Sequence, residues 1–158
     1  MRQAIGSTWL MQLVIIFMLI FVAFLALSIN YTKAFKTKNE LVNMIEEREG
    51  IGSGEDKGAL MLINNYLNYN NYSKKGHCEA DEYGVSNLNG TNLEAVEEGN
   101  KYYYCVKKIP TSTDTLPDRA RYQIRIFFNF SLPVMGDIFT FSVEGTTIDI
   151  NHALKDIE

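Results

Sequence analysis

The stretch that decides the fold is Trp9–Ile29, which reads WLMQLVIIFMLIFVAFLALSI. Its 21 residues include only two polar ones, Gln12 and Ser28, and neither glycine nor proline interrupts it. At about 1.5 Å per residue, a helix of this length measures roughly 31 Å, which matches the hydrocarbon core of a bilayer. We therefore predict a transmembrane helix over residues 9–29, preceded by a short flank at residues 1–8.

A cleaved secretory signal is the alternative interpretation of this apolar segment. The apolar part of a signal peptide spans about 7–15 residues and ends at a small-residue cleavage site. Here the run is longer, and no Ala-x-Ala pattern follows it before Tyr31. We expect the segment to be retained, with Trp9 and Tyr31 in the two headgroup regions.

The orientation of the span follows from two signals that disagree. Lys33, Lys36 and Lys38 follow the span, whereas only Arg2 precedes it, so the positive-inside rule points the C-terminal part inward. Long domains, however, translocate regardless of flanking charge, and the cysteine content favours an oxidising compartment. We predict a single-pass protein of the cell membrane with its C-terminal domain outside.

The chain has two cysteines, Cys78 and Cys105, and both lie among polar residues. Such a pair predicts one disulfide, which would close a loop of about 28 residues and stabilise the domain by about 3–4 kcal/mol through loop-closure entropy. Two reduced thiols are one alternative. A metal site that adds His77 and His152 is another, but its spacing matches no zinc pattern. We predict the disulfide, and no metal or other cofactor.

Helical periodicity continues beyond the span as far as Glu49. On a helical wheel, one arc of about 120° collects the apolar residues of this part, which are Tyr31, Ala34, Phe35, Leu41, Val42 and Ile45. The sequence therefore predicts an amphipathic extension over residues 30–49, whose apolar stripe is covered by the chain's own C-terminal domain or by a partner helix. The candidates for packing on a partner helix are Tyr31, Phe35, Val42 and Ile45.

Residues 50–158 form the predicted exported domain. Three glycines within residues 50–54 are expected to end the long helix. A second helix is predicted over residues 55–72, with one face formed by Leu62, Ile63, Tyr66 and Tyr69. This face is predicted to be core, although three tyrosines spaced three residues apart (Tyr66, Tyr69 and Tyr72) would also suit a sugar or a peptide.

Strands are predicted at residues 83–85, 102–109, 122–132 and 138–150. In the third, every even-numbered residue is apolar and every odd-numbered one except Phe127 is polar, which is typical of a half-buried strand. A one-residue shift of this pattern at Glu144–Gly145 predicts a β-bulge. The predicted fold class is α+β: a long transmembrane helix that continues into an amphipathic helix, followed by a small antiparallel sheet with one further helix.

Charge and motif content exclude several classes of function. The chain has 15 Lys and Arg against 19 Asp and Glu, and because an acidic domain repels phosphate backbones we expect no nucleic-acid partner. No nucleotide-binding glycine motif, H-E-x-x-H or G-x-S-x-G occurs. Neighbouring acids such as Asp81 and Glu82 are expected to be solvated surface. We predict a protein that is not an enzyme.

Two stretches carry a resemblance to a known family. They are the opening Arg2-Gln3-Ala4 and the closing YQIRIFFNFSLPVMGDIFTFSVEGTTIDI at residues 122–150. With the single charge-free helix, they resemble the type IV pilin-like proteins, and most of all the TadE-like minor pilins of tight-adherence secretion systems. The resemblance covers residues 2–38 and 121–150. It implies a minor pilin or pseudopilin that helps pilus or secretion-system assembly, with membrane lipid and other pilin-like or secretion-system proteins as partners.

The resemblance also implies a processing site, for which Gly6 is the candidate. Members of the family have a glutamate early in the apolar stretch, whereas here Met11 lies five residues after Gly6 and Gln12 is the nearest strongly polar residue. This departure favours a membrane-retained assembly factor over a filament subunit. The alternative function is a single-pass receptor or sensor, whose ectodomain binds an extracellular ligand through residues 73–101 and the run Tyr102–Tyr104.

Overall fold

The computed structural model describes residues 2–52, 58–114, 117, 119–132 and 136–151, and their side chains except those of 2–7, 130–132 and 136–139. The helices are α1 (Arg2–Glu47) and α2 (Leu60–Tyr69). The strands are β1 (Tyr83–Val85), β2 (Glu94–Ala95), β3 (Tyr104–Pro110), β4 (Ala120–Leu132) and β5 (Gly136–Thr146). They form one antiparallel sheet in the order β2-β1-β3-β4-β5, which confirms an α+β fold with a long N-terminal helix, a second helix and an antiparallel sheet.

Helix α1 is continuous over 46 residues. Its length follows from the sequence, because neither glycine nor proline occurs between Gly6 and Gly50. At its end the backbone becomes left-handed, with φ of 57° at Glu49 and 150° at Gly50, and the Gly50 N–H donates to the carbonyl of Ile45 at 3.0 Å. Glycine adopts such a φ readily, so Gly50 ends the helix. The last helical residue is Glu47, two residues before the predicted end.

The C-terminal half of α1 lies on one face of the sheet. Ala34, Leu41 and Ile45 are buried. Leu41 and Ile45 share a single hydrophobic core with the β4 residues Tyr122, Ile124 and Ile126. Of the two covers predicted for the apolar stripe, the chain's own domain is therefore the one that covers Leu41 and Ile45.

Helix α2 is shorter than predicted, and the predicted core face is only partly right, because Ile63 is buried and Tyr66 is half-buried against the core. Its buried residues are Leu60, Ile63, Asn64 and Leu67. Leu62 and Tyr69, predicted to face the core, are exposed, Tyr69 to 88%. The buried position of Asn64 explains the difference, because Asn64 Oδ1 accepts a hydrogen bond from the Tyr104 hydroxyl at 2.8 Å and its Nδ2 donates to the Gly90 carbonyl at 2.9 Å. With both groups of the amide paired, a polar side chain can occupy the core.

The alternation predicted for β4 is confirmed over residues 122–129, and the side chains of 130–132 lie outside the described ones. Tyr122, Ile124 and Ile126 have no exposed surface. Phe127, the apolar exception on the opposite face, is also buried, because a segment of backbone crosses its ring. A Cβ atom placed on Gly76 would lie 2.2 Å from Cδ1 of that ring. Both faces of β4 are thus covered near its centre.

The starts of β3, β4 and β5 lie two residues from the predicted ones, and two further features of the sheet differ more. Strand β2 was not predicted, since two residues are too few to show a pattern. Strand β5 ends at Thr146, and Ile150, predicted to lie in it, instead forms an isolated bridge with Ala120.

The prediction of a β-bulge at Glu144–Gly145 is wrong. Pairing is regular there, with Arg125 opposite Glu144 and Ile124 opposite Gly145. The irregularity of this hairpin falls instead between Phe130 and Ser131.

Gly145 has another role, which is to let α1 approach the sheet. A Cβ atom at this position would lie 2.7 Å from Cδ of Lys38 and 2.9 Å from Cγ2 of Val42. Both distances are shorter than ordinary van der Waals contact. The alternation of β5 therefore continues through Gly145 on the helix side, with glycine where an apolar side chain would be too large.

Gly145→Val should lower the free energy of unfolding by about 1–3 kcal/mol, because the new side chain must displace Val42 and with it α1. The matched control is Thr146→Val, at the next position of β5, whose side chain is exposed. It should change the stability by less than about 0.5 kcal/mol. Thermal unfolding of the full chain in detergent compares the three proteins. Equal stability of all three would contradict the close contact between α1 and β5.

Candidate functional site

The N-terminal half of α1 exposes a continuous apolar surface. Among the residues that the structure describes, α1 is the one helix long and apolar enough to cross a membrane, with a mean hydropathy of 3.0 over its most apolar 18 residues and none of these buried. Trp9 is 71% exposed, Phe17 63% and Ile29 59%. A surface of this kind requires lipid or an apolar partner. It fits a single-pass membrane protein. Gly6, the predicted processing position, lies within this helix, and processing there stays a prediction.

Four aromatic residues, which we call the aromatic cluster, lie where α1 meets the sheet. The ring of Tyr31 lies 6.3 Å from that of Phe35 and meets Phe128 edge-on at 6.1 Å, and Phe128 stacks on Phe141 at 5.4 Å. Phe128 is buried, whereas Tyr31, Phe35 and Phe141 are each about half exposed. Tyr31 and Phe35, both predicted to pack on a partner helix, therefore lie on accessible surface immediately beyond the span.

The other two residues predicted to pack on a partner are placed differently. Ile45 has no exposed surface, and Val42 is half-buried next to Gly145. The domain of the same chain covers Ile45, which corrects the prediction for that position, and it covers Val42 in part. A helical wheel identifies an apolar stripe, but it does not identify what covers the stripe.

The predicted disulfide is present between Cys78 and Cys105, whose Cα atoms are 5.7 Å apart. Cys105 lies in β3, between β1 and β4, so the bond ties the segment after α2 to the middle of the sheet. Glu82 lies close to both sulfur atoms. A metal site would need the two thiolates, and the disulfide consumes both of them.

Of the two histidines of the metal-site alternative, the structure describes His77, whose ring contacts the backbone of another segment. Nδ1 of His77 lies 3.0 Å from the carbonyl oxygen of Asn100, and the side chain of His77 is exposed. His152 lies outside the described residues.

A charged cluster beside the disulfide holds the same segment to the sheet. Nη2 of Arg125 lies 2.7 Å from an oxygen of Glu79, 3.0 Å from one of Glu144 and 3.3 Å from one of Glu82. Glu82 is only 4% exposed, and burial raises the pKa of its carboxyl group. Its other oxygen accepts a hydrogen bond from the Glu79 N–H at 2.8 Å. This carboxylate is thus committed to structural contacts.

The prediction that Asp81 and Glu82 are both solvated surface is therefore wrong for Glu82. The two neighbouring side chains have separate partners, since Asp81 is exposed and pairs with Lys107 on β3. No spacing in the sequence signals this difference, because Arg125, the cation beside Glu82, lies more than forty residues away.

The run Tyr102–Tyr104 offers little surface to a ligand. Tyr102 is 1% exposed and its hydroxyl accepts a hydrogen bond from the Glu97 N–H at 3.0 Å. Tyr104 is fully buried, and burial raises the pKa of its phenol well above the usual range. Tyr103 is partly exposed, with Nζ of Lys75 4.2 Å from its ring centroid. Ligand contact through Tyr102 and Tyr104, which the receptor alternative expects, is not available in this structure.

Comparison with known proteins gives no match to a family model, to a curated protein or to a solved structure. Function is therefore inferred from the geometry of the chain itself. The features that bear on it are the exposed apolar half of α1, the aromatic cluster and the disulfide-tied domain.

Arg125→Gln removes the cation beside the buried Glu82 carboxylate. We expect the free energy of unfolding to fall by about 3 kcal/mol at pH 7. This loss of stability should become smaller as the pH is lowered towards about 4, because Glu82 then becomes protonated. A carboxyl group whose pKa is higher in the folded than in the unfolded protein makes folding more favourable at low pH. This stabilisation is lost as the pH rises through the pKa of the folded state.

The matched control is Arg121→Gln on the same strand. Arg121 is exposed, and its Nε lies 3.1 Å from an oxygen of Asp149. Losing this solvent-screened pair should cost much less stability than losing Arg125. Urea unfolding of both variants at several pH values gives the comparison. An Arg125→Gln deficit as large at pH 4 as at pH 7 would contradict the role given to Glu82.

Proposed function

We propose that this chain is a non-enzymatic, membrane-anchored, pilin-like protein of the TadE-like minor pilin or pseudopilin type. It acts in pilus or secretion-system assembly by packing its helix against other helices. The observation that carries the proposal is the division of α1 into two parts, an apolar half with no buried residue in its most apolar window and a half that lies under an antiparallel sheet. The first part is free to contact lipid and neighbouring helices, while the second joins it to the domain without a flexible linker.

The C-terminal half of α1 has one buried and one exposed face, which supports an amphipathic extension of the span. Ala34, Leu41 and Ile45 face the core, and the exposed residues of the same turns include Lys33, Glu40 and Glu47. Tyr31 and Phe35 fall outside the covered stripe. They add apolar surface at the level where the helix leaves the membrane.

The composition of the span favours contact with a different protein over self-association. Helices in lipid associate through van der Waals fit, which small residues at the interface improve. After Trp9, the span offers Ala23, Ala26 and Ser28 as its small residues, and the Ser28 hydroxyl donates to the Phe24 carbonyl of its own helix at 3.0 Å. We therefore place the specific contact at the exposed part of the aromatic cluster. The lack of a carboxylate within the span favours a factor retained in the membrane.

The domain is proposed to lie outside the cell membrane. The disulfide between Cys78 and Cys105 supports this side, because such bonds persist in oxidising compartments. The lysines after the span oppose it by the positive-inside rule, but that rule weakens for long translocated domains.

Phe35→Asp tests the helix-packing role. The substitution places a charge on the exposed aromatic surface and should lower the recovery of co-purifying membrane proteins about tenfold, which corresponds to a loss of roughly 1.4 kcal/mol. The control is Met61→Asp, since Met61 is 65% exposed on α2, away from the aromatic cluster. It should leave recovery unchanged.

Photo-crosslinking at the same two positions gives the second readout. A photoreactive residue at position 35 is expected to form adducts with a membrane-spanning protein, and one at position 61 is not. Protein adducts at position 61 together with only lipid adducts at position 35 would overturn the helix-packing role and favour the receptor alternative.

A further inference from the structure

A basic groove opens at the end of the span, between three elements. It has a volume of about 480 Å³ and lies between the first turns of α1 beyond the span, the chain that follows α2, and β4. Lys33 and Lys36 of α1 and Lys74 of the segment after α2 line it, together with asparagine side chains such as Asn30 and Asn71. Among the residues that the structure describes, no carboxylate lines the groove. In a chain of net charge −4, this concentration of positive charge indicates an anionic ligand.

The two helix lysines of the groove are available to such a ligand. Lys33 and Lys36 are exposed, and neither forms an ion pair with any residue in the described part of the chain. Lysine presents a compact point charge on a flexible stem, which suits a phosphate group. Asparagine amides add neutral hydrogen-bond donors.

The span fixes the height of the groove relative to the bilayer. Lys33 and Lys36 lie four and seven residues beyond Ile29, which is about 6 and 10 Å along the helix. The headgroup region on each side of a bilayer is about 5–8 Å thick. Lys33 therefore lies at the level of the lipid phosphates, and the flexible side chain of Lys36, a few Å further out, can reach down to them.

A second, more apolar groove continues from the first towards the membrane interior. It has a volume of about 280 Å³ and shares Lys33 and Lys36 with the basic groove. Leu25 and Ile29 line its lower part, and its accessible lining is mostly apolar. A phosphate site joined to an apolar track along a transmembrane helix matches the shape of a phospholipid, and a soluble phosphate would not use the track.

We propose that this pair of grooves binds an anionic phospholipid, with its phosphate between Lys33 and Lys36 and an acyl chain along Leu25 and Ile29. The bound lipid would hold the domain at a fixed height and rotation on the membrane surface. It also gives the lysines after the span a role on the outer side. The site depends on the membrane span and not on the proposed packing against a pilin-like partner.

The test uses the purified full chain in detergent micelles and measures bound lipid by native mass spectrometry. We expect phosphatidylglycerol to be retained in preference to phosphatidylcholine. Lys33→Gln/Lys36→Gln should lower that preference about thirtyfold, at roughly fivefold for each lysine. Lys33→Arg/Lys36→Arg should keep most of it, which separates loss of charge from misfolding.

Two controls make the result decisive. Arg48→Gln/Lys101→Gln removes the same charge from exposed positions elsewhere and should retain the preference. Soluble glycerol phosphate should not displace the lipid. The proposal is overturned by equal retention of the two lipids, by an equal loss in the control variant, or by displacement with glycerol phosphate, which would assign the groove to a soluble phosphate.

Discussion

The close contact between α1 and the β4–β5 hairpin sets the position of everything else in the molecule. Gly145 lets the helix approach, and Leu41 and Ile45 fill the space between the helix and the sheet. Because α1 is one uninterrupted helix, this contact also fixes the domain relative to the apolar half. Once that half is in lipid, the end of the domain that carries Tyr31 and Phe128 must face the membrane.

The opposite face of the sheet is held by different chemistry. There the disulfide, the contacts of Arg125 and the close approach of Gly76 to Phe127 keep one segment of chain on the sheet. The charges and sulfur atoms of this region stabilise the layer and are already paired with one another. Near the membrane, by contrast, exposed aromatic rings and lysines surround the start of the domain.

The span, strand β4 and the disulfide could be predicted from sequence, because each depends on local periodicity or on a choice between very few partners. Other features could not, because they depend on residues far apart in the chain. Asn64 is buried by a hydrogen bond to Tyr104, forty residues away. In the sequence, the apolar alternation of β5 is interrupted at Gly145 in the same way whether the glycine forms a β-bulge or lies against a helix. Whether Ile45 is covered depends on the position of the sheet, which lies far away in the sequence.

The most direct test of this account is the labelling of Cys78 and Cys105 in intact cells with a maleimide that does not cross membranes, before and after mild reduction. With the apolar half of α1 in the bilayer and the disulfide-bonded domain outside, labelling should occur only after reduction. Labelling that needs cell lysis but no reductant would put the domain in the cytoplasm with free thiols. That result would contradict both the outward orientation and the pilin-like function.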